Sequence, residues 1–151
     1  MVFIIGVDHR IQWIPRKCGQ GWAEKIEEFM RYIAQQCQEQ QVDLIAEEFN
    51  EEAVKLSNAE DSTARRVAGE LSHSHLFCDP DSKEREELGA SDCERRENEW
   101  LRRLKFSGCE RVLFICGDKH VDTFVEKLKA GGENLEIVSR GFWGIGWEMI
   151  T

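Results

Sequence analysis

The sequence predicts an α/β protein of three layers, with helices on both faces of a mainly parallel sheet of about five strands. Two observations predict this class. Short apolar runs alternate along the chain with longer segments that repeat apolar residues at spacings of three and four. Strands that alternate with helices pair in parallel through right-handed crossovers. A chain of 151 residues without a low-complexity linker suits one domain, so we expect residues 1–151 to form a single unit.

Five apolar runs predict the strands of this sheet. The first strand is expected at Val2–Val7, and the others at residues 42–49, 75–78, 112–116 and 135–138. The third of these strands is stopped by Asp79-Pro80-Asp81, because proline cannot continue a strand ladder and disfavours helix at the residue before it.

The helices are predicted from apolar stripes and capping residues. Residues 22–40 carry the stripe Trp22, Ile26, Phe29, Ile33 and Cys37. Asn50 is a candidate N-cap for a short helix, and the polar stretch 57–69 is expected to be helical with a break. Further helices are expected at Ser82–Leu88, after a cap at Ser91, and at 121–128 before Gly131-Gly132.

Composition excludes several classes of function. The net charge of −9 and the pI near 5.0 argue against a general nucleic-acid binder, which usually has a basic face. No apolar run approaches the roughly 18 residues that span a membrane. The six cysteines form no Cys-x-x-Cys pair, and the chain begins with an apolar strand and no charged leader, so we expect reduced thiols and a cytoplasmic protein.

A short motif occurs twice, each time after a predicted strand. Gly6-Val7-Asp8-His9 follows the first strand and Gly117-Asp118-Lys119-His120 follows the strand at 112–116. The carboxyl ends of parallel strands form the edge of an open α/β sheet where ligands bind. His9 and His120 therefore predict a metal site or an acid–base site at that edge.

Other ionisable residues are expected at the same edge. Glu47 and Glu48 end the second strand, and because side chains alternate along a strand, only one of them should face the histidines; the sequence does not say which. Arg96 lies on a helix anchored by Trp100, either on a solvated face or directed into the site to neutralise developing negative charge. Asp118, inside the second motif, is a candidate base. His73 and His75 lack a preceding glycine and are expected at the surface or beside a strand.

These landmarks together resemble the TraB/PrgY/GumN and TIKI superfamily, whose relatives include the erythromycin-esterase and ChaN-like proteins. The resemblance rests on Gly6 with His9, on Glu47 or Glu48, on Arg96-Glu97 with Trp100, and on Gly117 with His120. It implies a hydrolase assisted by a metal or by histidine. The chain is much shorter than most members, and Asp8 and Asp118 are additional acids in or beside the motifs.

The leading hypothesis is a small cytoplasmic hydrolase that acts on a small molecule or a peptide. His9, Glu48 and His120 would hold a divalent metal such as Mn, Zn, Co or Fe, with Glu47 or Asp118 as base and Arg96 as charge stabiliser. A metal-free variant uses His9 or His120 as the general base. The alternative is a small-ligand or nucleotide-binding sensor or interaction module without turnover. The aromatic tail at 142–147 would serve as a lid, a packing segment or a homodimer contact.

Overall fold

A computed structural model describes residues 1–141 of the chain. The tail at 142–151, with its expected lid or dimer contact, lies outside the described residues. The strands are β1 (Val2–Val7), β2 (Trp13–Pro15), β3 (Leu44–Glu47), β4 (Ala59–Ser62), β5 (Ser74–Phe77), β6 (Val112–Gly117) and β7 (Leu135–Ser139). The helices are α1 (Gln20–Gln40), α2 (Glu51–Leu56), α3 (Thr63–Leu71), α4 (Ser82–Leu88), α5 (Cys93–Ser107) and α6 (Val121–Ala130).

Five of the strands form one parallel sheet in the order β5-β3-β6-β1-β7. Helices cover both of its faces, which confirms the predicted α/β class. The order makes β3, β6 and β1 immediate neighbours, although they are far apart along the chain. Val7 lies opposite Gly117 and Glu47 lies opposite Ile115, so the three strands end at almost the same level. The loops that follow these strands therefore meet at one edge of the sheet.

Alternation of side chains divides the interior into two cores. On one face, Phe3, Ile5 and Ile115 pack with buried residues of α1 and α3. On the other face, Ile4 and Phe114 pack with buried residues of α5 and α6. Complete burial of an aliphatic or aromatic side chain of this size contributes roughly 1.5–3 kcal/mol. Both faces are buried, so the strands read in the sequence as continuous apolar runs.

The prediction of helix over 57–69 is wrong for its first part. Residues 59–62 form β4, which pairs antiparallel with β2. Ser62 then caps α3, because its hydroxyl accepts the Arg65 N–H at 2.8 Å. A polar four-residue strand has no apolar alternation to mark it, and its pairing depends on β2, which lies more than 40 positions away along the chain.

Two element boundaries also differ. Asp92, and not Ser91, caps α5, since its carboxylate accepts the Arg95 N–H at 2.7 Å. The strand expected at 42–49 ends at Glu47, so Glu48 begins the loop. No helix within residues 1–141 combines the length and the apolar character that crossing a membrane would need.

Candidate active site

A buried carboxylate, Glu48, lies at the centre of the sheet edge described above. Its side chain follows β3 directly and is almost completely shielded from solvent. Oε1 accepts the backbone N–H of Gly117 at 2.8 Å, and Oε2 accepts Nη2 of Arg96 at 2.7 Å. A buried carboxylate needs such partners, because transfer of an unpaired charge out of water is costly.

The two motif histidines converge on this carboxylate from different sides. His9 Nε2 lies 3.5 Å from Glu48 Oε1, and His120 Nε2 lies 3.3 Å from Glu48 Oε2. Each ring is carried by a short 3-10 turn at the end of its strand. The structure therefore brings together the residues His9, Glu48 and His120, which the sequence placed in one site.

The exposure of the two rings differs greatly. The His9 side chain is 43% exposed, whereas that of His120 is 3% exposed. His120 Nδ1 lies 2.8 Å from Glu97 Oε2, and its ring packs edge-on against Trp100 with centroids 5.0 Å apart. Of the two imidazoles, that of His9 is therefore the more accessible to a molecule from solvent.

The glycine of each motif provides space for the other motif. A Cβ added at Gly117 would lie 2.5 Å from His9 Nε2 and 3.3 Å from Glu48 Oε1. A Cβ at Gly6 would lie 2.7 Å both from Asp118 Oδ1 and from a methyl group of Val121. This close packing of adjacent strand ends explains why glycine precedes each histidine by three residues.

Arg96 holds Glu48 in place and connects it to a second buried carboxylate. Its Nε donates to Asp79 Oδ1 at 2.9 Å, while Nη2 donates to Glu48. Asp79 also accepts Arg85 at 2.7 Å and the indole N–H of Trp100 at 2.9 Å. Burial opposes the charge of Arg96, yet its hydrogen bond to Asp79 and the nearby Glu48 charge raise its pKa above the ordinary value. Two nitrogen donors of Arg96, Nε and Nη2, are therefore already paired with carboxylates of the protein.

Glu47 points to the other face of the sheet edge, so the structure identifies Glu48 as the residue that faces the histidines. Glu47 Oε2 accepts the Ser62 hydroxyl at 2.6 Å and lies 2.6 Å from His75 Nε2. Its Oε1 accepts Nε2 of Gln12 at 3.2 Å. His75 is therefore not a surface histidine: its side chain is mostly buried against Glu47.

Asp118 does not lie against either imidazole. Its Oδ1 accepts the backbone N–H of Gly141 at 2.7 Å and lies 3.7 Å from Arg140 Nε. These contacts hold the segment after β7. Asp118 is predicted as a base because of its place in the motif. The 3-10 turn at Asp118–His120 instead directs His120 inward and leaves Asp118 at the rim.

Three further buried residues complete the network, and no catalytic or ligand role was assigned to them from the sequence. The Gln12 amide nitrogen donates to Glu47 and to the backbone carbonyl of Glu48, and its oxygen lies 2.7 Å from His9 Nδ1. Glu97 contacts His120, and Asp79 pairs with Arg96 and Arg85. The sequence indicates Asp79 only as part of the Asp79-Pro80-Asp81 stop after the third predicted strand. Glu97 belongs to the Arg96-Glu97 pair of the family resemblance, whereas no sequence pattern distinguishes Gln12.

A cleft of about 410 Å³ opens over the exposed face of His9. It is lined by Val7, Asp8, His9, Gly117, Asp118, Lys119 and Gly141. Asp8 caps the turn that carries His9 and accepts Arg10 N–H at 3.0 Å. Hydrogen bonds from the Arg10 side chain and backbone hold the pKa of Asp8 below its ordinary value of 3.8, against the opposing effect of burial.

The residues at this site do not fit a resident metal ion in their present arrangement. Within residues 1–141, no group of three or more His, Cys, Asp or Glu side chains has a geometry that could hold one. Both oxygens of Glu48 already accept hydrogen bonds, from Gly117 and from Arg96. Burial also raises the pKa of the nearby Cys78 and Cys116 thiols well above the ordinary value, so neither is a ready thiolate ligand.

Comparison of the chain with family models, with curated proteins and with solved structures gave no match. The resemblance to the TraB and TIKI superfamily therefore remains a prediction from the sequence.

Proposed function

We propose that this protein is a small hydrolase in which His9 is the general base. One observation carries the proposal: the imidazole of His9 opens into a cleft and has a protein group beside each nitrogen. Its Nδ1 lies 2.7 Å from Gln12 Oε1, and its Nε2 lies 3.5 Å from Glu48 Oε1. Glu48 is in turn fixed by Arg96 and by the backbone of Gly117. A base beside a fixed carboxylate, which can stabilise the imidazolium that forms, is an arrangement typical of general-base catalysis.

The chemistry follows from this placement. His9 accepts a proton from a water molecule in the cleft as the water oxygen attacks an acyl carbon of the substrate. The ring becomes an imidazolium, and the carboxylate of Glu48 stabilises that charge. His9 then returns the proton to the leaving group when the acyl bond breaks. Lys119, which lines the same cleft, is the cation available to the negative charge that develops on the substrate.

Buried His120 has a different part in this proposal. It cannot reach the cleft, but it contacts Glu48 Oε2 on one side and Glu97 on the other. Thr123 donates a hydrogen bond to the same oxygen of Glu97 at 2.8 Å and so fixes that carboxylate. We assign His120 and Arg96 as positioning residues that keep Glu48 beneath His9.

The substrate class that we propose is a small molecule or peptide with an ester or amide bond. A panel of such compounds tests it, with wild type, His9→Gln and His73→Gln compared at neutral pH. His73 contributes no side-chain hydrogen bond to the site, so it is a matched control. Loss of a general base lowers kcat by about 10²–10⁴-fold. We expect that loss in His9→Gln alone; equal rates in all three proteins would refute the assignment.

Metal assistance and binding without turnover are separated by two further measurements. Metal analysis of protein purified without a histidine tag is compared with a His9→Ala/His120→Ala double variant. A metal that is present at one per chain and lost in the double variant would replace our mechanism by the metal-assisted one. A compound that raises the melting temperature and is recovered unchanged would favour the sensor alternative.

A further inference from the structure

We propose that Gln12 is a positioning residue that holds the proton of the neutral His9 ring on Nδ1, and that a buried cluster formed by Glu47, Ser62 and His75 fixes the orientation of Gln12. The inference rests on the proposed function for its catalytic meaning. Its structural content, the position of one proton, can be measured without any substrate.

The orientation of the Gln12 amide is determined by what surrounds it. Gln12 is buried, and its Nε2 lies 3.2 Å from Glu47 Oε1 and 3.3 Å from the backbone carbonyl oxygen of Glu48. Both of these atoms are acceptors, so the amide must present its NH₂ group to them. A flipped amide would place its own oxygen against two other oxygens and leave no donor between them.

The orientation of Gln12 then decides the tautomer of His9. With NH₂ directed to Glu47, Gln12 Oε1 is left to face His9 Nδ1 at 2.7 Å. An oxygen at that distance requires a hydrogen on the ring nitrogen. Glu48 competes weakly, because 3.5 Å to His9 Nε2 is beyond a good hydrogen bond. The neutral ring therefore carries its lone pair on Nε2, where an incoming proton would be stabilised by Glu48.

The cluster behind Gln12 has only one arrangement of donors. Ser62 Oγ accepts the Arg65 N–H at 2.8 Å as the cap of α3, and its own hydrogen is therefore free for Glu47 Oε2 at 2.6 Å. His75 Nε2 lies 2.6 Å from the same oxygen. Glu47 accordingly accepts hydrogen bonds from Ser62, His75 and Gln12. The cap of α3 thus fixes the Ser62 hydroxyl, which binds Glu47, and Glu47 in turn orients Gln12 towards His9. This chain of hydrogen bonds lies on the opposite side of β3 from Arg96.

Long-range ¹H–¹⁵N NMR of the histidine rings tests the proposal, because the two nitrogens of a neutral imidazole differ in shift according to which one is protonated. The spectra are recorded near pH 8.5, about two units above the ordinary histidine pKa. We expect His9 to show Nδ1–H in the wild type. Gln12→Met keeps the side-chain length but removes the oxygen, and His9 should change to the Nε2–H form.

Glu47→Gln extends the test to a residue that does not touch His9. It removes the acceptor that orients Gln12, so we expect a mixture of both tautomers at His9. Gln36→Met is the control, since Gln36 is also a buried glutamine but contacts only Gln40 among the hydrogen bonds described. It should leave the His9 signals unchanged.

Each outcome bears on the proposal. An Nε2–H tautomer of His9 in the wild type would by itself overturn the proposal, whatever the variants show. Retention of Nδ1–H in Gln12→Met would do the same, and an unchanged ring in Glu47→Gln would overturn the coupling. If the tautomers follow the expectation but no compound is hydrolysed, the proposed function fails while the role of Gln12 stands.

Discussion

Replacement of Arg96 by methionine measures how much one guanidinium stabilises two buried carboxylates. The substitution keeps most of the side-chain stem and removes the donors to Glu48 and Asp79. Loss of one partner from a buried ion pair costs about 3–5 kcal/mol, because the remaining charge is left without compensation. Asp79 still has Arg85 and Trp100, and Glu48 still has the Gly117 N–H. We therefore expect the lower end of that range, about 3 kcal/mol.

The adjacent Arg95 provides a matched control on the same helix. Its side chain is 66% exposed and lies 3.7 Å from Asp92, whereas that of Arg96 is 16% exposed. An exposed pair contributes about 0–1 kcal/mol, so Arg95→Met should change stability by less than about 1 kcal/mol. Both variants have the same helix propensity and the same change in net charge, so the comparison tests the effect of burial. Arg95→Met also removes an exposed hydrogen bond from Nη1 to the Gly89 carbonyl, at 3.0 Å.

Urea unfolding followed by tryptophan fluorescence and circular dichroism gives the comparison. With a slope of about 2 kcal/mol per molar urea, a loss of 3 kcal/mol lowers the midpoint by about 1.5 M. A Glu48→Gln/Arg96→Met double variant should be more stable than the sum of the single losses predicts, since the amide removes the uncompensated charge. If Arg96→Met and Arg95→Met unfold at the same urea concentration, the buried ion pair does not support the site as we describe.

Two further predictions concern Gly117, which packs against the His9 ring, and Asp8, which caps the turn that carries His9. In Gly117→Ala the new methyl group would lie only 2.5 Å from His9 Nε2 and would displace the ring, so we expect loss of hydrolysis with a stability cost of about 1–3 kcal/mol. Gly69→Ala, whose methyl group meets no atom within 4 Å, should be neutral or stabilise the fold by up to about 1 kcal/mol. The lowered pKa of Asp8 stabilises the fold above the ordinary value of 3.8, and this contribution disappears as pH falls through the folded-state pKa. Asp8→Asn retains a capping side chain without the charge, so the difference in melting temperature between it and the wild type should shrink from pH 6 to below pH 3.8; a constant difference would contradict this account.

The main sheet and the helices could be predicted from the sequence because their signals are local. β1 at Val2–Val7 and α4 at Ser82–Leu88 have the predicted bounds, and Asn50 caps α2 through a 2.7 Å hydrogen bond to the Ala53 N–H. An apolar run or a stripe at helical spacing is a property of neighbouring residues. The short pair of β2 and β4 has no such signal, because each strand forms only in contact with the other.

The amino-acid sequence by itself determined that two Gly-x-x-His motifs follow strands and that Glu47 and Glu48 face opposite sides. Both statements depend only on strand periodicity. The tertiary structure alone decided that β3, β6 and β1 are neighbours, that Glu48 is the carboxylate beside the histidines, and that His9 is exposed while His120 is buried. Strand order and register are set by the packing of two cores, whose residues lie far apart along the chain. A shift of register by one residue would exchange the roles of Glu47 and Glu48.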